Sequence, residues 1–127
     1  MRMPSLSLAI AALGLAAPQL AAAHTALVSS SPAANATVAA PTKIELRFNE
    51  AVIGATARAE ISMTGMPGMA NHEPMAITGF TAQIGKDRKS MTLLLRRPLM
   101  AGTYQVTWTA AGADTHRMSG NFNFTVR

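Results

Sequence analysis

The sequence predicts an all-β domain, a two-sheet sandwich of about seven strands, on three observations. Hydrophobic residues alternate with period two in several runs after residue 25, turn-forming residues separate these runs, and the same region has no amphipathic helix of useful length. Short half-buried strands spaced by turn signals bury their apolar faces most simply against a second sheet.

The elements follow in chain order. Arg2, the apolar stretch Leu6 to Ala17 and the small residues Ala21-Ala22-Ala23 read as a secretory leader cleaved after Ala23. The apolar run is shorter than the roughly 20 residues a membrane-spanning helix needs. Residues 1–23 therefore stand outside the fold, and residues 24–127 form one domain with a single core. Ala26 to Ser29 is a short strand, and Ser31-Pro32 through Pro41 is a small-residue loop. Ile44, Leu46 and Phe48 alternate with Lys43, Glu45 and Arg47; Ala59 to Met63, Phe80 to Ile84 and Ser90 to Leu95 are less regular strands, with a hairpin turn at Gly85-Lys86-Asp87. Tyr104, Val106 and Trp108, then Phe122, Phe124 and Val126, supply the last two inward faces. With Leu93 and Leu95, these residues make the expected core.

Composition excludes some functions and favours one. The formal charge of +5 falls to +4 when Arg2 leaves with the leader, and the basic residues do not cluster, so nucleic-acid binding is not expected. There is no cysteine: the core holds the fold without disulfides, and methionine is the sulfur ligand that remains. A thioether cannot be lost to disulfide formation in an oxidising compartment, although it can be oxidised to the sulfoxide.

Only three histidines are present, each in a position useful to a metal. Cleavage after Ala23 makes His24 the first residue, pairing a free α-amine with an imidazole in one chelate. Asp114-Thr115-His116 places a carboxylate and an imidazole two residues apart, a spacing that projects both to one side of an extended backbone. Together these are a nitrogen-rich, partly anionic set suited to tetragonal Cu(II), with Glu50 as a further oxygen candidate. Two histidines and a carboxylate also suit zinc.

The second constellation is Met63-Thr-Gly-Met66-Pro-Gly-Met69-Ala-Asn-His72-Glu-Pro-Met75, four methionines within thirteen residues. Spacing by three would form one face of a helix, but Gly65, Pro67, Gly68 and Pro74 disfavour a helix, and a loop is expected. Thioether sulfur is soft and uncharged, which suits Cu(I) and offers little to zinc, magnesium or calcium. A subset of these methionines with His72 is expected to enclose Cu(I); the adjoining soft site is what favours copper over zinc at the nitrogen site.

At this point the sequence resembles the CopC family of periplasmic copper-binding proteins. The resemblance spans the chain after the leader: His24 with Leu27-Val28-Ser29-Ser30-Ser31-Pro32, Ile44-Glu45-Leu46-Arg47-Phe48-Asn49-Glu50, the Met-x-x-Met-Pro-Gly-Met run, Ala101 through Trp108, Asp114-Thr115-His116 and Ser119 through Phe122. It implies a Greek-key β-sandwich or barrel, cupredoxin-like or immunoglobulin-like. It implies Cu(II) held by the amine and side chain of His24 and by His116, with Asp114 a ligand or near neighbour and Glu50 less central. It implies Cu(I) held by a subset of Met63, Met66, Met69, His72 and Met75; Ala70 and Asn71 separate Met69 from His72, one residue more than in the family pattern. A role in copper resistance, trafficking or delivery follows, with an inner-membrane transporter of the CopD type or other periplasmic carriers as partners, and no catalytic activity. Two rival readings are a copper-dependent oxidative enzyme with a histidine brace, disfavoured because Trp108 and Tyr104 are better used in the core, and a Met-loop docking module that binds no metal.

Overall fold

A computed structural model describes residues 24–69 and 72–127. The leader and the expected cleavage point after Ala23 lie outside the described residues, as do Ala70 and Asn71 of the methionine segment.

The regular structure of the described residues is strand apart from one 3₁₀ turn at Gly54–Thr56: β1 (Leu27–Ser31), β2 (Thr37–Val38), β3 (Lys43–Phe48), β4 (Arg58–Gly65), β5 (Met75–Ile77), β6 (Phe80–Ile84), β7 (Ser90–Leu95), β8 (Gly102–Ala111) and β9 (Arg117–Val126). Seven of these correspond to the runs expected from alternation. The other two are short additions. β2 pairs in parallel with the end of β9, and β5 pairs antiparallel with β4.

Two sheets form, in the orders β1-β3-β7-β6 and β2-β9-β8-β4-β5. The chain crosses between them after β1, β2, β3, β5 and β7, the Greek-key habit of a sandwich. Their inner faces meet as Ile44, Leu46, Phe48, Met91 and Leu93 from one sheet, and Ile61, Met63, Tyr104, Val106, Trp108, Phe122, Phe124 and Val126 from the other. Alternation is what makes this possible. β3 reads exposed-buried throughout, so all three of its apolar side chains point inward. Phe48 meets Trp108 edge-on at 5.1 Å between ring centroids, tying the sheets together. Leu95, expected in the core, is only half-buried at the end of β7, and Val52 and Leu99 take core places from the connections.

Two strands run further than alternation suggested. β8 continues to Ala111 and β9 starts at Arg117, and their ladder closes at Ala111↔Arg117, leaving a tight connection of residues 112–116. Gly120 lies opposite Trp108, and a Cβ there would sit 2.9–3.0 Å from the indole ring. The glycine in this strand thus makes room for the tryptophan across from it.

Candidate metal centre

Side chains from two chain-distant segments converge at one end of the sandwich. The possible ligand atoms of His24, Asp114 and His116 all lie within 4.8 Å of one another. Asp114 Oδ2 is 3.4 Å from His24 Nδ1 and 3.7 Å from His116 Nδ1, and the two imidazole centroids are 6.0 Å apart. All three residues are exposed, so an ion reaches them without any opening of the fold. Two imidazoles and a carboxylate facing one point fit a divalent borderline ion.

Each member is placed by local chemistry. The 112–116 connection is a turn in which the Thr115 N–H donates to the Gly112 carbonyl at 2.9 Å. Thr115 adopts φ 62°, so Asp114 and His116 are not brought together by extended backbone, as the two-residue spacing suggested. The carboxylate itself closes the turn: the His116 N–H donates to Asp114 Oδ1 at 3.2 Å, leaving Oδ2 directed at both imidazoles.

His24 precedes β1 and is held by residues just after β3. The Asn49 amide donates to the His24 carbonyl at 3.0 Å, while its Oδ1 accepts from the Ala26 N–H at 2.8 Å. The Asn49 N–H donates to the Ala26 carbonyl at 3.0 Å. Thr25, buried between them, donates from its hydroxyl to Glu50 Oε1 at 2.9 Å. Four hydrogen bonds therefore fix the three residues ahead of β1.

Glu50 does not join the cluster. Its carboxylate is taken up by Thr25 and lies against Gly112, where a Cβ would come within 1.9 Å of Oε1. It braces the N-terminal residues against the 112–116 turn. Asn49 and Thr25 were missed because one asparagine after a strand and one threonine before a strand carry no signal of their own.

The described part of the methionine segment holds regular structure where a loop was expected. β4 runs on to Gly65, and Met66-Pro67-Gly68-Met69 forms a tight turn in which Met66 and Met69 exchange both backbone hydrogen bonds, at 3.1 and 2.9 Å. Proline then glycine at the two central positions, with Gly68 at φ 78°, is the chemistry of a type II turn. Met66 and Met69 face each other across it. Met63 is instead buried in β4, opposite Met75 on one side and Tyr104 on the other. Met69 and Met75 are exposed and Met66 half-buried.

His72 Nδ1 is 2.7 Å from the Glu73 carbonyl, which only accepts, so in the neutral ring the proton sits on Nδ1. Nε2 then carries a lone pair, and it is a buried atom without a hydrogen-bond partner among the described residues. An imidazole oriented through one nitrogen, with the other bare, is the usual preparation for ligation.

The family model described as the CopC domain matches residues 27–127. Copper resistance protein C of Escherichia coli is 48% identical over 107 residues, covering 84% of each chain. Copper resistance protein C of Pseudomonas syringae pv. tomato is 44% identical over 116 residues, 91% of this chain and 90% of the relative. Among solved structures, PcoC, a methionine-rich copper resistance protein from Escherichia coli, superposes with a TM-score of 0.75 at 45% identity, covering 83% of this chain and all of PcoC. CopC from Methylosinus trichosporium OB3b gives 0.61 at 30% identity, covering 81% and 93%. With its two-sheet fold, its domain match and relatives covered over most of their length, the chain belongs to the CopC family.

Proposed function

We propose that this protein is a periplasmic copper carrier of the copper-resistance type. The mature chain, residues 24–127, starts at His24 and binds Cu(II) through the α-amine and imidazole of His24, His116 and Asp114. It binds Cu(I) through a subset of the thioethers of Met63, Met66, Met69 and Met75 and the Nε2 of His72. The observation that carries the reading is the convergence of His24, Asp114 and His116 from opposite ends of the domain. The relatives named for copper resistance and the methionine-rich PcoC support copper over zinc.

Donor chemistry separates the two sites. Amine, imidazole and carboxylate prefer Cu(II), whereas neutral thioethers prefer Cu(I). Reduction at the first site removes the preference of its ligands and raises the relative affinity of the second, on this molecule or on a partner. An inner-membrane transporter of the CopD type is the recipient or donor we propose. The oxidative-enzyme reading, which the pairing of His24 with His116 also fits, is the weaker one: Trp108 and Tyr104 are buried and offer no aromatic face to a polysaccharide.

The test is a copper titration of the protein beginning at His24, with Cu(II) followed by EPR and Cu(I) by anaerobic chelator competition. One equivalent of each, held together without mutual displacement, is expected. Binding of Cu(II) alone would remove the soft site from the proposal.

A further inference from the structure

A cavity of about 510 Å³ opens between the end of β4, β5 and the connection from β7 to β8. Four methionines line it: Met63, Met66 and Met75 from the methionine segment, and Met100 from the connection. In sequence, Met100 stands 25 residues beyond Met75 and outside any cluster.

The fold brings it there by steps that can be followed. Met63 is the register partner of Tyr104 in β8. The Tyr104 hydroxyl donates to the Met100 carbonyl at 2.6 Å, pinning the residue four positions earlier at the cavity wall. Gly102, between them, keeps φ 154°, and a Cβ on it would stand 2.5 Å from the Met63 Cε. The Met63 thioether thus lies over the start of β8 because residue 102 has no side chain. Met75 pairs with Met63 from the other side.

Other groups on the wall are poor donors to a soft ion. Arg96 and Arg97 are cations without a lone pair to offer. Burial pushes the Tyr104 phenol above its ordinary value, against the opposing effect of its Met100 hydrogen bond, so it stays protonated. Met100 itself is 71% exposed, which rules out core filling as its role.

We propose that Met100 is a thioether ligand of the soft copper site, so that Cu(I) is held across three elements rather than by the Met63–Met75 segment alone. This rests on the Cu(I) reading above. It makes Met100 the outermost sulfur of the set, the one an entering or departing ion meets first.

The experiment uses the mature protein with methyl-labelled methionine and Ag(I), a soft ion of the same charge that does not change oxidation state. NMR is expected to show the Met100 methyl shifting together with those of Met63, Met66 and Met75, while Met91 and Met118 stay in place. In parallel, Met100→Leu is expected to lower Cu(I) affinity about tenfold or more by chelator competition, with the Cu(II) EPR spectrum unchanged. A stationary Met100 methyl, or Met100→Leu equal to the parent while Met66→Leu is weakened, overturns the proposal and leaves the Cu(I) site standing. If neither leucine variant weakens binding and no methionine methyl moves, the Cu(I) reading fails along with it.

Discussion

The two ends of this molecule hold their candidate ligands in opposite ways. Around His24, the backbone is pinned by Asn49, Thr25 and Glu50, and the Asp114 carboxylate closes its own turn before facing the imidazoles. Around the methionines, long unbranched side chains surround a hollow, with few hydrogen bonds to direct them. The contrast matches the chemistry proposed for each. Imidazole and carboxylate donors must be aimed, so their supporting contacts matter nearly as much as the ligands. Thioethers on flexible stems adjust to a soft ion and need mainly to be gathered in one place.

The sharpest way to break this contrast is to lengthen the N-terminus. One glycine ahead of His24 in the mature protein moves the amine off the chelate and should weaken Cu(II) binding by about a hundredfold, sparing Cu(I). Equal loss at both sites, read by EPR and chelator competition, would mean that the sites are not separate. Next, Met66→Leu with Met69→Leu keeps apolar volume and removes two sulfurs. Cu(I) affinity should fall roughly ten- to a hundredfold with Cu(II) intact; unchanged Cu(I) binding would leave the turn with a docking role instead.

A smaller effect probes the bracing. Asn49→Ala removes two side-chain hydrogen bonds to residues 24–26 and should cost about 1–2 kcal/mol of stability in urea denaturation. Cu(II) affinity should drop about tenfold with the ligands untouched; a normal affinity would show that the pinned backbone is irrelevant to the site. The smallest effect is expected for Glu50→Gln, whose carbonyl oxygen can still accept from Thr25. Cu(II) binding within about threefold of the parent is expected, whereas a loss beyond tenfold would return Glu50 to the ligand set.

Much of the scaffold was legible because alternation is local. Ile44-Glu45-Leu46-Arg47-Phe48 declares one buried face wherever the strand is placed, since successive side chains point to opposite sides. The two unanticipated strands lacked that signal. Thr37–Val38 is too short to alternate, and Met75–Ile77 is an edge addition within a segment dominated by proline and glycine. Leu95 kept the inward phase but ran past the packed part of its sheet. Met63 was grouped with its neighbouring methionines, yet the β4 ladder carries it into the core, opposite Tyr104.

The sequence by itself determined the strand faces, the absence of cysteine and the concentration of metal-capable residues in two places. Those properties depend on residue type and on spacing within a few positions. Tertiary structure alone decided that His24 meets Asp114 and His116, that Glu50 turns to Thr25 instead, and that Met100 joins the methionines across β4 and β5. The physical reason is that such meetings are set by strand pairing and turn closure between residues far apart in the chain, as in the β8–β9 ladder that ends at Ala111 and leaves Asp114 and His116 in one tight turn.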